Sequence, residues 1–98
     1  TDQKLATRLA GVKTLRAKAE SMTSAIADPE NAEGLRALAD ALRFTDPVST
    51  PETEQYESRI DTLLDSIVYH SDPKERGELI RRALALVNER AAVVKAAK

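Results

Sequence analysis

The sequence predicts an all-α fold, an antiparallel bundle of four unequal helices ordered long, short, medium and long. Three times, a short polar residue is followed by proline and a nearby carboxylate, at Asp28-Pro29-Glu30, Thr50-Pro51-Glu52 and Asp72-Pro73-Lys74-Glu75. Each cluster is typical of a helix start, because the polar side chain can cap the helix, proline suits its first position and the carboxylate meets the positive end of its dipole. Between these points apolar residues recur at steps of three and four, and the connections are short.

The first two helices are predicted at residues 2–27 and 29–44. Asp28 separates them, because the residue before a proline disfavours helical geometry. The apolar stripe of helix 1 consists of Leu5, Leu9, Val12, Leu15, Ala19, Met22 and Ile26. The stripe of helix 2 consists of Leu35, Leu38 and Leu42.

Helix 3 is predicted at residues 51–70 and helix 4 from residue 73 towards the chain end. The stripe of helix 3 consists of Tyr56, Ile60, Leu63 and Ile67, widened by Leu64 and Val68. Helix 4 carries two adjacent stripes, one through Ile80, Leu84, Val87, Ala91 and Val94, the other through Leu79, Ala83, Leu86 and Val93. A helix this apolar either lies centrally in its own bundle or meets a partner with its second stripe. Helices 1 and 4 are expected to project beyond the shorter pair.

Length and composition indicate one domain over residues 1–98, since 42% of the residues are apolar and 32% are charged. The absence of cysteine excludes disulfides, thiolate metal sites and cysteine catalysis. No stretch is apolar enough to span a membrane, and the first residues lack a signal-peptide pattern. Because the chain starts without Met and the last helical pattern has no stop signal, we expect a piece of a longer protein. The cellular compartment stays open.

Charge is distributed unevenly along the chain. Residues 1–27 hold five basic and two acidic side chains, residues 28–71 hold three and ten, and residues 72–98 hold seven and four. We interpret this as attraction between basic outer helices and acidic inner helices. Nucleic-acid binding through the basic residues of helix 1 is a weaker hypothesis, because the net charge is −1 and aromatic residues are few. Those basic residues are Lys4, Arg8, Lys13, Arg16 and Lys18.

Catalysis has little support, and we expect no enzyme activity, cofactor or metal. The sole histidine, His70, is predicted at the C-terminal end of helix 3, where an imidazole interacts well with helix carbonyls. Gly11 is predicted to allow a neighbouring helix to approach closely. Four carboxylates of helix 3 are interpreted as a solvated face or a docking face for helix 1 or 4 rather than a cation site: Glu54, Glu57, Asp61 and Asp65.

Two places are candidates for recognition. The connection after helix 2 carries Phe44, Asp46 and Val48, which we expect to form a fixed turn whose apolar side chains plug the open end of the bundle. A recognition loop is the alternative. The second stripe of helix 4 is the predicted contact surface, through Leu79, Leu86 and Val93.

These observations predict a non-catalytic protein-interaction or assembly module of a larger protein, with another protein or a second copy of the chain as partner. The alternative is a helical sensor or cell-surface module of a membrane-associated protein. A nucleic-acid-binding regulator ranks third.

Overall fold

The computed structural model describes the backbone of residues 2–97 and the side chains of residues 11–96. Four α-helices account for most of this range: α1 (Asp2–Ala25), α2 (Ala32–Phe44), α3 (Pro51–Tyr69) and α4 (Pro73–Ala97). The prediction of an all-α bundle of long, short, medium and long helices is confirmed. The side chains of Lys4, Leu5, Arg8 and Leu9, which the helix 1 pattern includes, lie outside the described residues.

The three proline-marked starts are confirmed, although their local chemistry differs. Thr50 and Thr53 form a reciprocal cap on α3, in which each side chain accepts a hydrogen bond from the other's backbone N–H. Pro29 starts a 3₁₀ turn at Pro29–Asn31 that leads into α2, so the predicted helix 2 is α-helical only from Ala32. The Asp28 side chain makes no cap hydrogen bond.

The helices pack so that α1 and α4 each lie against both α2 and α3. Neighbouring residues show the directions: Gly11 faces Glu57 and Lys18 binds Asp61, so residue numbers rise together along α1 and α3. Consecutive helices run in opposite directions, as predicted. However, α2 and α3 occupy opposite corners of the bundle, and residues 45–50 connect them along the diagonal.

The core runs through the space between all four helices. Its buried residues are Leu15, Ala19, Met22, Ile26, Leu35, Leu38, Ala39, Leu42, Ile60, Leu64, Ile67, Ile80, Ala83 and Val87. These residues include most of the predicted stripes. Val68 is an exception, because it is 56% exposed rather than part of the core. Within residues 2–97, no helix combines the length and apolar character that crossing a membrane requires.

Beyond the end of α2, residues 45–50 occupy the position in the bundle that a longer α2 would fill. At about 1.5 Å per residue, the 13 residues of α2 span about 20 Å, whereas α1 and α4 each span more than 35 Å. Thr45 and Thr50 both have extended backbone, so the helix is interrupted between the end of α2 at Phe44 and the start of α3 at Pro51. The expectation that Phe44 plugs the open end is wrong, because its side chain is 80% exposed. Val48 is 36% exposed, so its side chain does not plug the open end either.

Candidate functional site

A buried arginine holds the connecting segment in place. Arg90 lies on α4 in line with the buried Ala83 and Val87, and its side chain is 0% exposed. Its Nε donates to Glu57 Oε2 at 3.1 Å. The rest of the guanidinium donates to Thr45 Oγ1 at 3.3 Å, to the carbonyl of Asp46 at 2.8 Å and to the carbonyl of Val48 at 3.2 Å.

Glu57 and Ser49 complete this polar cluster from the other side. Ser49 Oγ donates to Glu57 Oε1 at 2.6 Å, and both residues are buried. Gly11 of α1 lies directly against this pair, so the prediction of a close approach at Gly11 is confirmed. Across the described side chains, every buried polar atom has a hydrogen-bond partner. A buried charge costs several kcal/mol unless it is paired and hydrogen-bonded, so this full pairing explains how the cluster is tolerated.

Short-range hydrogen bonds also order the segment itself. The carboxylate of Asp46 accepts the backbone N–H of Val48 at 3.0 Å, which closes an Asx turn. Two residues later, the reciprocal Thr50–Thr53 cap fixes the start of α3. Residues 45–50 are therefore held at both ends and in the middle, while Phe44 and Val48 keep their side chains on the surface.

A groove of about 320 Å³ opens between this segment, the start of α3 and the end of α4. We call it the loop groove; its lining residues are Asp46, Val48, Thr50, Glu52, Thr53, Val93 and Val94. Valine side chains from the segment and from α4 form apolar walls, and two carboxylates lie among the lining residues. The groove brings together Asp46 and Val48 of the candidate recognition loop with Val93 of the predicted contact surface, although Val93 lies 45 positions after Val48 in sequence.

The other two residues of the predicted contact surface, Leu79 and Leu86, do not line the loop groove. Leu79 and Leu86 are partly buried and pack against the core cluster. Leu86 also borders Leu63 in a shallow depression between α3 and α4. The structure therefore brings Val93 to the loop groove, while Leu79 and Leu86 contribute to the packing of α4 on its own bundle.

Three of the four carboxylates of α3 dock neighbouring helices, as one of the two interpretations predicted, whereas Glu54 is exposed. Glu57 binds Arg90 of α4, and both Asp61 and Asp65 lie within hydrogen-bond distance of Lys18 Nζ on α1. These two hydrogen bonds raise the pKa of Lys18 above its usual value. Among the described residues, no group of three or more His, Asp or Glu side chains converges as a metal site.

A second arginine of α4 ties the opposite end of the bundle together. Arg76 donates to the carbonyls of Ile67 and His70 at the end of α3 and to Asp28 Oδ2 at 2.9 Å. The hydrogen bonds from Arg76 and Asn31 lower the pKa of the Asp28 carboxyl below its usual value. His70 is the C-cap of α3, and its Nδ1 lies 2.8 Å from the Ser66 carbonyl, which confirms its predicted place.

The buried cluster was missed by the sequence analysis, although the spacing contains a signal for it. Ile80, Ala83, Val87 and Arg90 follow one another at steps of three and four, so Arg90 continues the buried stripe of α4. Glu57 similarly extends the stripe of Ile60, Leu64 and Ile67. Because α3 and α4 run in opposite directions, the start of the α3 stripe and the end of the α4 stripe lie at the same end of the bundle. The opposite charges there, Glu57 and Arg90, indicate a buried ion pair.

Comparison of the chain with protein-family models, curated proteins and solved structures gave no match.

Proposed function

We propose that the chain is a non-catalytic protein-interaction module that binds its partner through the loop groove. The observation that carries this proposal is the combination of a rigidly held segment with exposed apolar side chains. From inside the bundle, Arg90 donates hydrogen bonds to the backbone carbonyls of Asp46 and Val48. The side chains of Phe44 and Val48 are exposed to solvent. An exposed apolar patch on a fixed backbone loses little conformational freedom when it binds, which favours association.

The chemistry of the groove supports a protein partner. Its walls are aliphatic, from Val48, Val93 and Val94, and carboxylates lie at Asp46 and Glu52. Interfaces commonly combine an apolar centre with a polar rim, and a few side chains that fill pockets in such centres contribute most of the binding energy. The buried polar groups nearby are hydrogen-bonded within the chain, so they act as supports of the segment rather than as reactive groups.

Site-specific photocrosslinking in cells of the source organism tests this proposal. A photoreactive phenylalanine analogue is placed at Val48 in the groove and, as the matched control, at Arg81, an exposed position in the middle of α4. We expect crosslinked products from position 48 and not from position 81. Any protein identified is then purified and its binding to the chain is measured directly.

A second variant separates specific from incidental crosslinking. Val93→Asp places a charge in the apolar wall of the groove, so it should remove the products formed from position 48 while helicity stays unchanged. Equal products from positions 48 and 81, or products that persist in a folded Val93→Asp chain, would contradict the proposed function.

A further inference from the structure

We infer that the partner at the loop groove is a second copy of this chain, whose Phe44 enters the groove. This inference rests on the proposed function and specifies its partner. Two features that are close in sequence motivate it: an exposed aromatic ring at the end of α2 and an apolar groove lined by the segment that follows it.

The groove has room for the ring. An apolar cavity of about 150 Å³ accommodates benzene, and the loop groove measures about 320 Å³. Its aliphatic walls, Val48, Val93 and Val94, offer the contacts that an aromatic side chain makes when it is buried. Phe44 itself is 80% exposed, so its ring is available to another molecule.

The charges next to the ring and the groove are opposite. Arg43 lies in the last turn of α2, directly before Phe44, and its side chain is 57% exposed although its guanidinium lies 3.7 Å from the Glu20 carboxylate. Glu52 lines the groove in the first turn of α3. A ring inserted into the groove of a second copy would bring its neighbouring guanidinium towards that carboxylate, and this attraction favours the contact.

The short distance between the two features permits a closed dimer. Phe44 precedes Asp46 by two residues and Val48 by four, so their Cα atoms lie within about 7 Å and about 14 Å of that of Phe44. A twofold axis between them brings each Phe44 to the other copy's groove, and this reciprocal contact ends with two chains instead of growing into a filament.

The expected dimer is weak. An aromatic side chain buries about 150–250 Å², so two rings and their grooves bury less than the roughly 1,200 Å² of a stable interface. Association should therefore become visible only at high concentration, from tens of micromolar upward.

Sedimentation equilibrium from about 20 µM to about 1 mM tests the inference. The mass of the wild-type chain should rise from 10.7 kDa towards twice that value as concentration increases. Phe44→Ala should raise the dimer dissociation constant at least roughly tenfold. Tyr69→Ala is the matched control, because Tyr69 is 86% exposed on α3 at the opposite end of the bundle, and this variant should behave as wild type.

A charge exchange tests the register of the contact. Arg43→Glu and Glu52→Arg should each weaken the dimer, and the chain with both substitutions should regain it, because opposite charges again meet across the axis. Circular dichroism checks that all variants stay helical. A double variant as weak as the single ones, or equal effects of Phe44→Ala and Tyr69→Ala, would overturn the inference.

A wild-type chain that stays at 10.7 kDa over the whole range would also overturn it. In that case, photocrosslinks from position 48 to a different protein would still support the proposed function. A monomer that gives no crosslinks would remove both the inference and the proposed function.

Discussion

Replacing Arg90 with methionine should destabilise the fold strongly, because it leaves a carboxylate buried without its partner. Glu57 is only 8% exposed, and Arg90 is 0% exposed. Removing one partner of a buried ion pair costs about 3–5 kcal/mol. The carbonyls of Asp46 and Val48 lose their donor as well. A domain of this length has about 5–15 kcal/mol of total stability, so the substitution removes a large part of it.

Urea unfolding followed by circular dichroism measures this effect. With a slope of about 1.5 kcal/mol per molar urea, the midpoint should fall by roughly 2–3 M. Arg81→Met is the matched control, because Arg81 is exposed on the same helix, and its free energy of unfolding should change by less than about 0.5 kcal/mol.

The chain with both Arg90→Met and Glu57→Met distinguishes an unpaired charge from lost packing. We expect it to be more stable than Arg90→Met alone by about 2 kcal/mol, because no charge remains buried. A double variant less stable than the single one, or a loss below about 1 kcal/mol for Arg90→Met, would refute the reasoning about the buried pair.

Two further substitutions have expected directions. Gly11→Ala should lower the free energy of unfolding by about 1–3 kcal/mol despite better helix propensity, because its Cβ would lie 2.7 Å from Glu57 Oε1, which Ser49 and Arg90 hold in place. Asp28→Asn should destabilise at neutral pH, and the stability difference from wild type should narrow in acid. Folding lowers the pKa of the Asp28 carboxyl below its ordinary value of 3.8. The contribution of this carboxylate to the free energy of unfolding is therefore complete above pH 3.8 and is lost as the pH falls through the lowered pKa.

Urea midpoints check both substitutions. For Gly11, the comparison is Gly34→Ala, whose nearest neighbour is Ile80 Cγ2 at 3.2 Å and whose effect should stay within about 1 kcal/mol. A Gly11→Ala chain as stable as wild type would contradict the close packing of α1 on Glu57. For Asp28, a stability difference that stays constant or widens in acid would contradict the sign of the pKa shift.

The helix boundaries were predictable because their signals are local. Proline at residues 29, 51 and 73 marks the three internal starts, and the spacing of leucine, isoleucine and valine identifies most of the core. Thr50 illustrates how complete such a signal can be, since its cap depends only on residues within three positions of it. The place of His70 at the end of α3 followed from the same local reasoning.

The path of residues 45–50 was not predictable in the same way. It depends on Arg90, which lies more than 40 positions away, and charged residues are usually expected on the surface. Because the buried donor was not foreseen, the two apolar side chains at this turn, Phe44 and Val48, were expected to be buried. The diagonal arrangement of α2 and α3 likewise depends on packing among all four helices rather than on the length of their connection.

Backbone NMR spectra recorded from about 20 µM to about 1 mM test most directly whether this chain assembles through the loop groove. We predict concentration-dependent shifts at Phe44, Val48 and Val93, with the amide signals of Val68 and Tyr69 unchanged. Spectra that do not change with concentration, or shifts confined to Val68 and Tyr69, would contradict assembly through the loop groove.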